Sequence, residues 1–196
     1  NLNGLERIRY TTSHPKDMTN ELFLAHKNSK KLMPVLHLPV QSGSSKILKL
    51  MNRKHDVEEY LNIIEKLKRA KPEIKFSSDF IIGYPGEKRD DFEATISLMK
   101  KVKFINSYSF LYSARPGTTA YNLDCIENEI IKKRLLEFQN ISYEIKTQYR
   151  KSLINTTQNV LFENKLKDQN KYFGRDRYLN SVIVNSTNDL SGRSLN

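Results

Sequence analysis

The stretch from Ser77 to Glu87, Ser-Ser-Asp-Phe-Ile-Ile-Gly-Tyr-Pro-Gly-Glu, constrains the fold more than any other part of the chain. A short apolar run, Phe80-Ile81-Ile82, stops abruptly in a turn made of Gly83, Pro85, Gly86 and Glu87. Such a triplet suits a strand buried on both faces, the pattern of a parallel sheet. Gly83 and Gly86 permit positive φ angles or a close backbone approach to a ligand, and Pro85 fixes one turn dihedral. In parallel α/β sheets and barrels, sites are built at that end of the strands.

The same unit recurs along the chain. Ile8 to Thr12 alternates apolar and polar residues and predicts a first strand, ending in Thr12-Ser13-His14-Pro15. Thr19 is placed to cap a short helix reaching about Asn28. Met33 to Val40 predicts a second strand, running into Gln41-Ser42-Gly43-Ser44, where Ser44 can cap a helix carrying Ile47, Leu48 and Met51. Asp56 and Glu59 form a capping box for a helix whose Val57, Tyr60, Leu61, Ile64 and Leu67 repeat at helical spacing up to Pro72. The strand Lys75 to Ile82 follows, then a helix marked by Phe92, Ile96 and Met99, with Asp90 and Asp91 near its N-terminus. Ser107 to Ser113 predicts the last strand of the series, closing in Ala114-Arg115-Pro116-Gly117-Thr118. Strands alternating with helices argue for β-α-β units with right-handed crossovers.

A long helix is expected over Asn128 to Lys151, with Ile131, Leu135, Phe138, Ile141 and Ile145 on one stripe. From Thr157 the character turns to β: Asn159 to Glu163, a basic stretch with Lys165, Lys167 and Lys171, then Gly174-Arg175-Asp176-Arg177 and a strand Ser181 to Asn185. A domain boundary is therefore expected near Arg150, dividing 1–149 from 150–196.

Lys and Arg number 33 against 22 Asp and Glu, a net charge of +11, which favours a polyanionic partner or, more plainly, keeps Lys-rich helix faces soluble. No apolar run approaches the ~18 residues of a transmembrane helix, and the start lacks an apolar signal region, so a cytoplasmic protein without membrane partners is the default. The start at Asn1, without an initiator Met, and the end at Asn196 read as those of a fragment. The four His residues show no metal spacing, which favours structural roles, and Cys125 is the single cysteine, so neither a disulfide framework nor a thiolate-bound cluster can form within the chain.

The loops carry the chemistry. Gln41-Ser42-Gly43-Ser44 can hold a ribose, a carboxylate or a phosphate, or serve as a plain strand-to-helix turn, and the turn at Arg115 is an anion-binding candidate. Four strand-end segments stand in one order: Arg9 to Pro15, His37 to Ser44, Asp79 to Glu87, and Tyr108-Ser109-Phe110 on to Thr118. Together with Met51-Asn52-Arg53 they resemble the radical S-adenosylmethionine methylthiotransferases, and within that group the MiaB family, the tRNA 2-methylthio-N6-dimethylallyladenosine synthases. Thr-Thr-Ser-His-Pro and Leu-Pro-Val-Gln-Ser-Gly-Ser point to the enzyme acting on isopentenylated adenosine. A relative acting on threonylcarbamoyladenosine shares Gln-Ser-Gly-Ser and is the nearest alternative.

The resemblance implies an α/β fold: a partial TIM-like (β/α)6 barrel, here its last four strands, followed by a truncated OB-like TRAM β-barrel that binds RNA. It implies two 4Fe-4S clusters in the full-length protein. One cleaves S-adenosylmethionine to a 5′-deoxyadenosyl radical, the other is involved in sulfur delivery, and a methylthio group ends up at C2 of the adenosine 3′ of the anticodon. Implied partners are the tRNA anticodon stem-loop, a sulfur donor and an electron donor such as flavodoxin or ferredoxin. This chain departs from the family in lacking both cysteine sets, which are expected upstream of Asn1 in a full-length version; alone it is expected to be inactive.

What remains is expected to face S-adenosylmethionine. By resemblance Gln41 and Ser42 lie near its ribose and amino-acid portion, and Arg53 is placed to pair with the carboxylate, a match for a planar guanidinium fork. Ile82 and Gly83 would approach the adenine, with Glu87 closing the loop. Arg115 points to substrate or to a salt bridge locking its turn. Lys165, Lys167, Lys171, Arg175 and Arg177 are candidate phosphate contacts, with Tyr172, Phe173 and Tyr178 among them for stacking or for the barrel core. Two other classes compete. A Schiff-base aldolase lacks a strand-end Lys, and a non-catalytic RNA-binding module leaves the two loops without a task; titration with S-adenosylmethionine separates them.

Overall fold

The computed structural model describes residues 4–12, 14–167 and 170–196, so Ser13 of the first strand-end segment lies outside the described residues. Three parallel strands, β1 (Val35–His37), β2 (Lys75–Ile82) and β3 (Asn106–Leu111), lie in the order β1-β2-β3. Parallel neighbours need a crossover. Helices α2 (Ser45–Leu50) and α3 (Val57–Ala70) supply it between β1 and β2, and α4 (Arg89–Val102) between β2 and β3. Helix α1 (Asn20–Asn28) precedes β1, and the long α5 (Asn128–Lys151) follows β3 and packs against it.

The helix starts obey local chemistry. Asp56 accepts from the Glu59 N–H at 2.8 Å and Glu59 accepts from the Asp56 N–H at 3.0 Å, a complete capping box at the head of α3. Ser44 caps α2 and donates its hydroxyl to Asp91 at 2.7 Å, while Lys46 reaches the same carboxylate, tying α2 to α4. Tyr60, Ile64 and Leu67 are buried on one face of α3, and with Phe76, Phe80, Phe92, Phe104 and Phe138 they form the main core.

Strand β2 divides its faces by alternation. Phe76, Phe80 and Ile82 are buried against the helices, whereas Asp79 and Ile81 turn to the other face and line a cavity. Burial on both faces, expected from the triplet, is therefore corrected: helices cover one face of this sheet, and the opposite face is lined for a site.

The expected strand over Ile8–Thr12 is reduced to two isolated parallel bridges, Ile8 to Leu32 and Thr11 to His37. Three residues advance on one side while five advance on the other, so the register slips around Pro34, which has no N–H to donate. Of the four expected barrel strands, three are regular and the first runs alongside β1 without a continuous ladder. The second is regular only over Val35–His37.

After α5 comes an antiparallel sheet of β4 (Val160–Lys165), β5 (Lys171–Asp176), β6 (Ser181–Asn185) and β7 (Ser194–Leu195), in the order β6-β5-β4-β7. Strand β5 was not legible as a strand because its inward positions are Tyr172, Gly174 and Asp176. A side-chain carbon at Gly174 would lie 2.6 Å from the Leu161 carbonyl oxygen. Asp176 is buried and accepts from the Tyr178 and Asn180 N–H groups, both at 2.8 Å, shaping the turn into β6. Arg7 joins this sheet to the rest of the chain, donating to the carbonyls of Arg175 and Asn159 at 2.9 and 3.0 Å.

Candidate functional site

Beyond His37 the β1 chain gains one residue on β2: His37 pairs with Ser77, but Gln41 bridges to Phe80. This is a bulge. The Gln41 N–H bonds the Asp79 carbonyl at 3.0 Å, the Ile81 N–H bonds the Gln41 carbonyl at 3.0 Å, and the displaced Val40 N–H is met by the Ser78 hydroxyl at 2.9 Å. Gln41 sits at φ 76°, an uncommon conformation for a residue with a side chain. Bulges of this kind redirect a side chain beside a site. Here the redirected Gln41 side chain lines a cavity of about 840 Å³ at the C-terminal ends of the three strands.

Arg53 and Arg115 line the same cavity. Arg53 follows α2 and Asn52, whose φ of 56° turns the chain back. Burial pulls the Arg53 guanidinium below its ordinary value, and Asp79, also in the wall, opposes that pull. Arg115 does not lock its turn by a salt bridge: its carbonyl does so, accepting from the Thr118 hydroxyl at 2.8 Å and the Thr118 N–H at 3.2 Å. Its exposed side chain is left for the cavity. The wall thus offers two guanidinium groups, the carboxamides of Gln41 and Asn52, a carboxylate and the rings of Tyr84, Phe110 and Tyr112. That set can clamp a carboxylate, take an ammonium or hydroxyl, and stack a base.

The other candidates around these loops stand elsewhere. Ser42 is buried against α4, accepting from the Ser44 N–H at 3.1 Å, its hydroxyl 3.4 Å from that of Thr95. Ile82 is buried in the core. Gly83 has φ 77°, and a side-chain carbon there would lie 2.7 Å from Ile131 of α5. Glu87 is buried and receives Arg134 Nη1 at 2.7 Å. None of these four is among the residues lining the cavity. Asp79, Tyr84 and Tyr112 are lining residues that sequence reasoning missed; the alternation of Asp79 and Ile81 with Phe80 was the available signal.

Each of the histidines contacts other protein groups, with His14 accepting from the Lys16 N–H at 3.1 Å and packing edge-on to His55. His26 Nε2 lies 2.7 Å from the Tyr10 hydroxyl, and His37 lies between Ser77, at 2.9 Å, and Asp79, at 3.3 Å. Cys125 is exposed, and among the described residues no group of three or more His, Cys, Asp and Glu could hold a metal ion.

Of the basic candidates in the second sheet, Lys165, Lys167 and Lys171 are exposed, Arg175 lies 3.7 Å from Glu163, and Arg177 donates to the Lys30 carbonyl at 3.2 Å. The aromatics divide between the two roles: alternation along β5 puts Tyr172 in the sheet core and Phe173 on the other face, where the Arg175 guanidinium lies 5.3 Å from its ring. Tyr178 packs on Tyr149.

Over 189 residues the chain is 56% identical to the tRNA-2-methylthio-N(6)-dimethylallyladenosine synthase of Pelagibacter ubique, covering 96% of this chain and 42% of that protein. It is 52% identical to the synthase of the same name from Wolbachia pipientis of Culex pipiens, again covering 42% of the relative. The chain thus spans less than half the length of these relatives. Among solved structures, coproporphyrinogen III oxidase (HemN) from Escherichia coli, described as a radical SAM enzyme, superposes with a TM-score of 0.56 at 14% identity, covering 85% of this chain and 45% of that one. No helix among the described residues is long and apolar enough to cross a membrane. The Radical SAM superfamily matches residues 2–99, half of the chain and the part that builds Gln41, Arg53 and the β2 wall, and the chain belongs to that superfamily.

Proposed function

We propose that the chain is the S-adenosylmethionine-facing part of a cytoplasmic tRNA methylthiotransferase that places a methylthio group at C2 of N6-isopentenyladenosine beside the anticodon. The observation that carries this reading is the single cavity in which the bulged Gln41, Arg53 and Arg115 meet at the strand ends. The names of the relatives favour the dimethylallyl substrate over the threonylcarbamoyl one.

The wall fits S-adenosylmethionine. Arg53 offers a fork for the carboxylate, Gln41 an amide for the ammonium or ribose hydroxyls, and Ile81 with Tyr84 apolar surface for the adenine. Ser42, Ile82, Gly83 and Glu87 act on this ligand through the backbone they hold in place. When bound beside a reduced 4Fe-4S cluster, S-adenosylmethionine supplies a 5′-deoxyadenosyl radical. This chain's one cysteine cannot ligate two clusters, so on this reading the cluster ligands belong to other parts of the protein and the chain is inactive alone.

Residues 1–149 form the core portion and residues 150–196 the first part of a TRAM barrel, whose exposed Lys165, Lys167 and Lys171 grip RNA phosphate. Calorimetric titration of the chain with S-adenosylmethionine tests the reading. Weak saturable binding is expected, reduced about tenfold or more in Arg53→Ala, as for loss of a charged hydrogen-bond partner. Absence of any binding by the unmodified chain overturns it.

A further inference from the structure

A second cavity, of about 460 Å³, lies on the same inner face of the parallel sheet, towards the antiparallel sheet. Asp79 belongs to the walls of both cavities, so the two adjoin. The cations of the second cavity are Arg9, beside β1, Lys146 and Arg150, one turn apart on α5, and Arg175 of β5, which lies 3.7 Å from Glu163. Among the described residues Arg9, Lys146 and Arg150 make no ion pair, and burial together with Arg150 draws Lys146 below its ordinary value. The one carboxylate in this wall, Asp79, lies 3.3 Å from His37. Three unpaired cations beside one carboxylate that already contacts His37 leave positive charge in excess, which is costly unless an anion meets it.

An aromatic row joins the cavities. Tyr108 and Phe110 stand opposite Asp79 and Ile81 in the register and project from the same face of β3. Tyr108 lines the second cavity and Phe110 the first, and both are more than half exposed. Neighbouring side chains on one strand face stand roughly 7 Å apart, about the distance from a nucleobase to its own phosphate.

We propose that the second cavity is a phosphodiester subsite for an extruded RNA nucleotide: Lys146, Arg150 and Arg9 hold the phosphate, and Tyr108 and Phe110 stack the base as it reaches the first cavity. The inference deepens the tRNA reading above and rests on it. Single-stranded bases are commonly held by aromatic stacking with cations on the backbone, and enzymes that act on a base take it out of its stack.

The test uses the full-length protein and an anticodon stem-loop RNA carrying 2-aminopurine at the target position. Lys146→Ala with Arg150→Ala is expected to weaken RNA binding about tenfold and to flatten the salt dependence by about one to two released ions. S-adenosylmethionine affinity should stay unchanged. Tyr108→Ala is expected to restore fluorescence quenched in the unmodified complex. A double variant with unchanged RNA affinity and salt slope overturns the subsite while leaving the tRNA reading intact. Unmodified protein that binds S-adenosylmethionine but no RNA overturns both. Inorganic phosphate that displaces the RNA beyond a chloride control of equal ionic strength makes this a small-anion site and overturns the RNA assignment.

Discussion

Arg134, on α5, donates from one guanidinium nitrogen to the Glu87 carboxylate at 2.7 Å and to the Glu87 carbonyl at 3.0 Å, with both side chains buried. The pair fastens the Gly-Tyr-Pro-Gly-Glu turn, and with it Tyr84, to the long helix. Burial pushes the Glu87 carboxyl up, and Arg134 pulls it back. Removing one partner leaves an uncompensated buried charge, so Arg134→Met should destabilise the fold by about 3–5 kcal/mol. Glu87→Gln keeps an acceptor for Arg134 but leaves its buried charge without a counter-charge, and should also cost about 3–5 kcal/mol. The double variant Glu87→Leu with Arg134→Met should recover part of the loss. Urea unfolding of the three variants decides; an Arg134→Met as stable as the parent would mean the pair holds nothing.

Gly83 serves two constraints at once, a φ of 77° and the approach of Ile131. Gly83→Ala should therefore cost about 1–2 kcal/mol for the left-handed backbone and a further 1–3 kcal/mol for the clash. Adding Ile131→Ala opens the space but deletes core surface. The coupling energy in a double-mutant cycle should then show the two changes together costing less than their sum. Additive costs would place Ile131 out of reach of position 83.

Much of this arrangement was legible in the sequence where one residue announces one local event. Asp56 and Glu59 start α3 where the capping box said, and the apolar stripe of α5 runs over Asn128–Lys151 as expected. The misses are residues whose role depends on a partner far along the chain. Arg134 lies between Ile131 and Phe138 on the buried face of α5, and a charge there reads as surface until Glu87 is brought to it. The bulge at Gln41 depends on the Ser78 hydroxyl taking the Val40 N–H. Strand β5 hides its alternation behind Gly174 and Asp176, one needed for close approach to β4 and the other for the turn into β6. The alternation of Asp79 and Ile81 with Phe80 puts the first two on one face, and the helices covering the other face make theirs the cavity wall.

His55 is buried with neither ring nitrogen hydrogen-bonded, edge-on to His14 at 4.9 Å between ring centres. Burial, then the charges of His14 and Arg53, draw its pKa from 6.5 to about 4, against the pull of Glu59 and Asp56. The unfolded chain therefore binds a proton that the folded one resists. This contribution to stability is fully present above pH 6.5 and is lost as the pH falls towards about 4, by roughly 3 kcal/mol at most. His55→Leu should remove that part of the slope, with little cost at neutral pH because no hydrogen bond is lost. Denaturant titrations across this range with an unchanged slope in the variant would exclude His55 as the source.

Gln41 sets stability against binding at a single position. Its side chain faces the cavity only because the backbone is held at φ 76°, a conformation that costs about 1–2 kcal/mol for a residue with a Cβ. Gln41→Gly relieves that strain but adds freedom to the unfolded chain, worth about 0.4–1 kcal/mol in the opposite sense. The variant should thus be as stable as the parent or up to about 1.6 kcal/mol more stable, while its affinity for S-adenosylmethionine falls. Melting curves and calorimetry on the same sample separate the two effects. A Gln41→Gly chain that binds as well as the parent would show that the bulge serves packing and not the ligand. A chain that loses stability would mean that the carboxamide holds the fold in the absence of ligand.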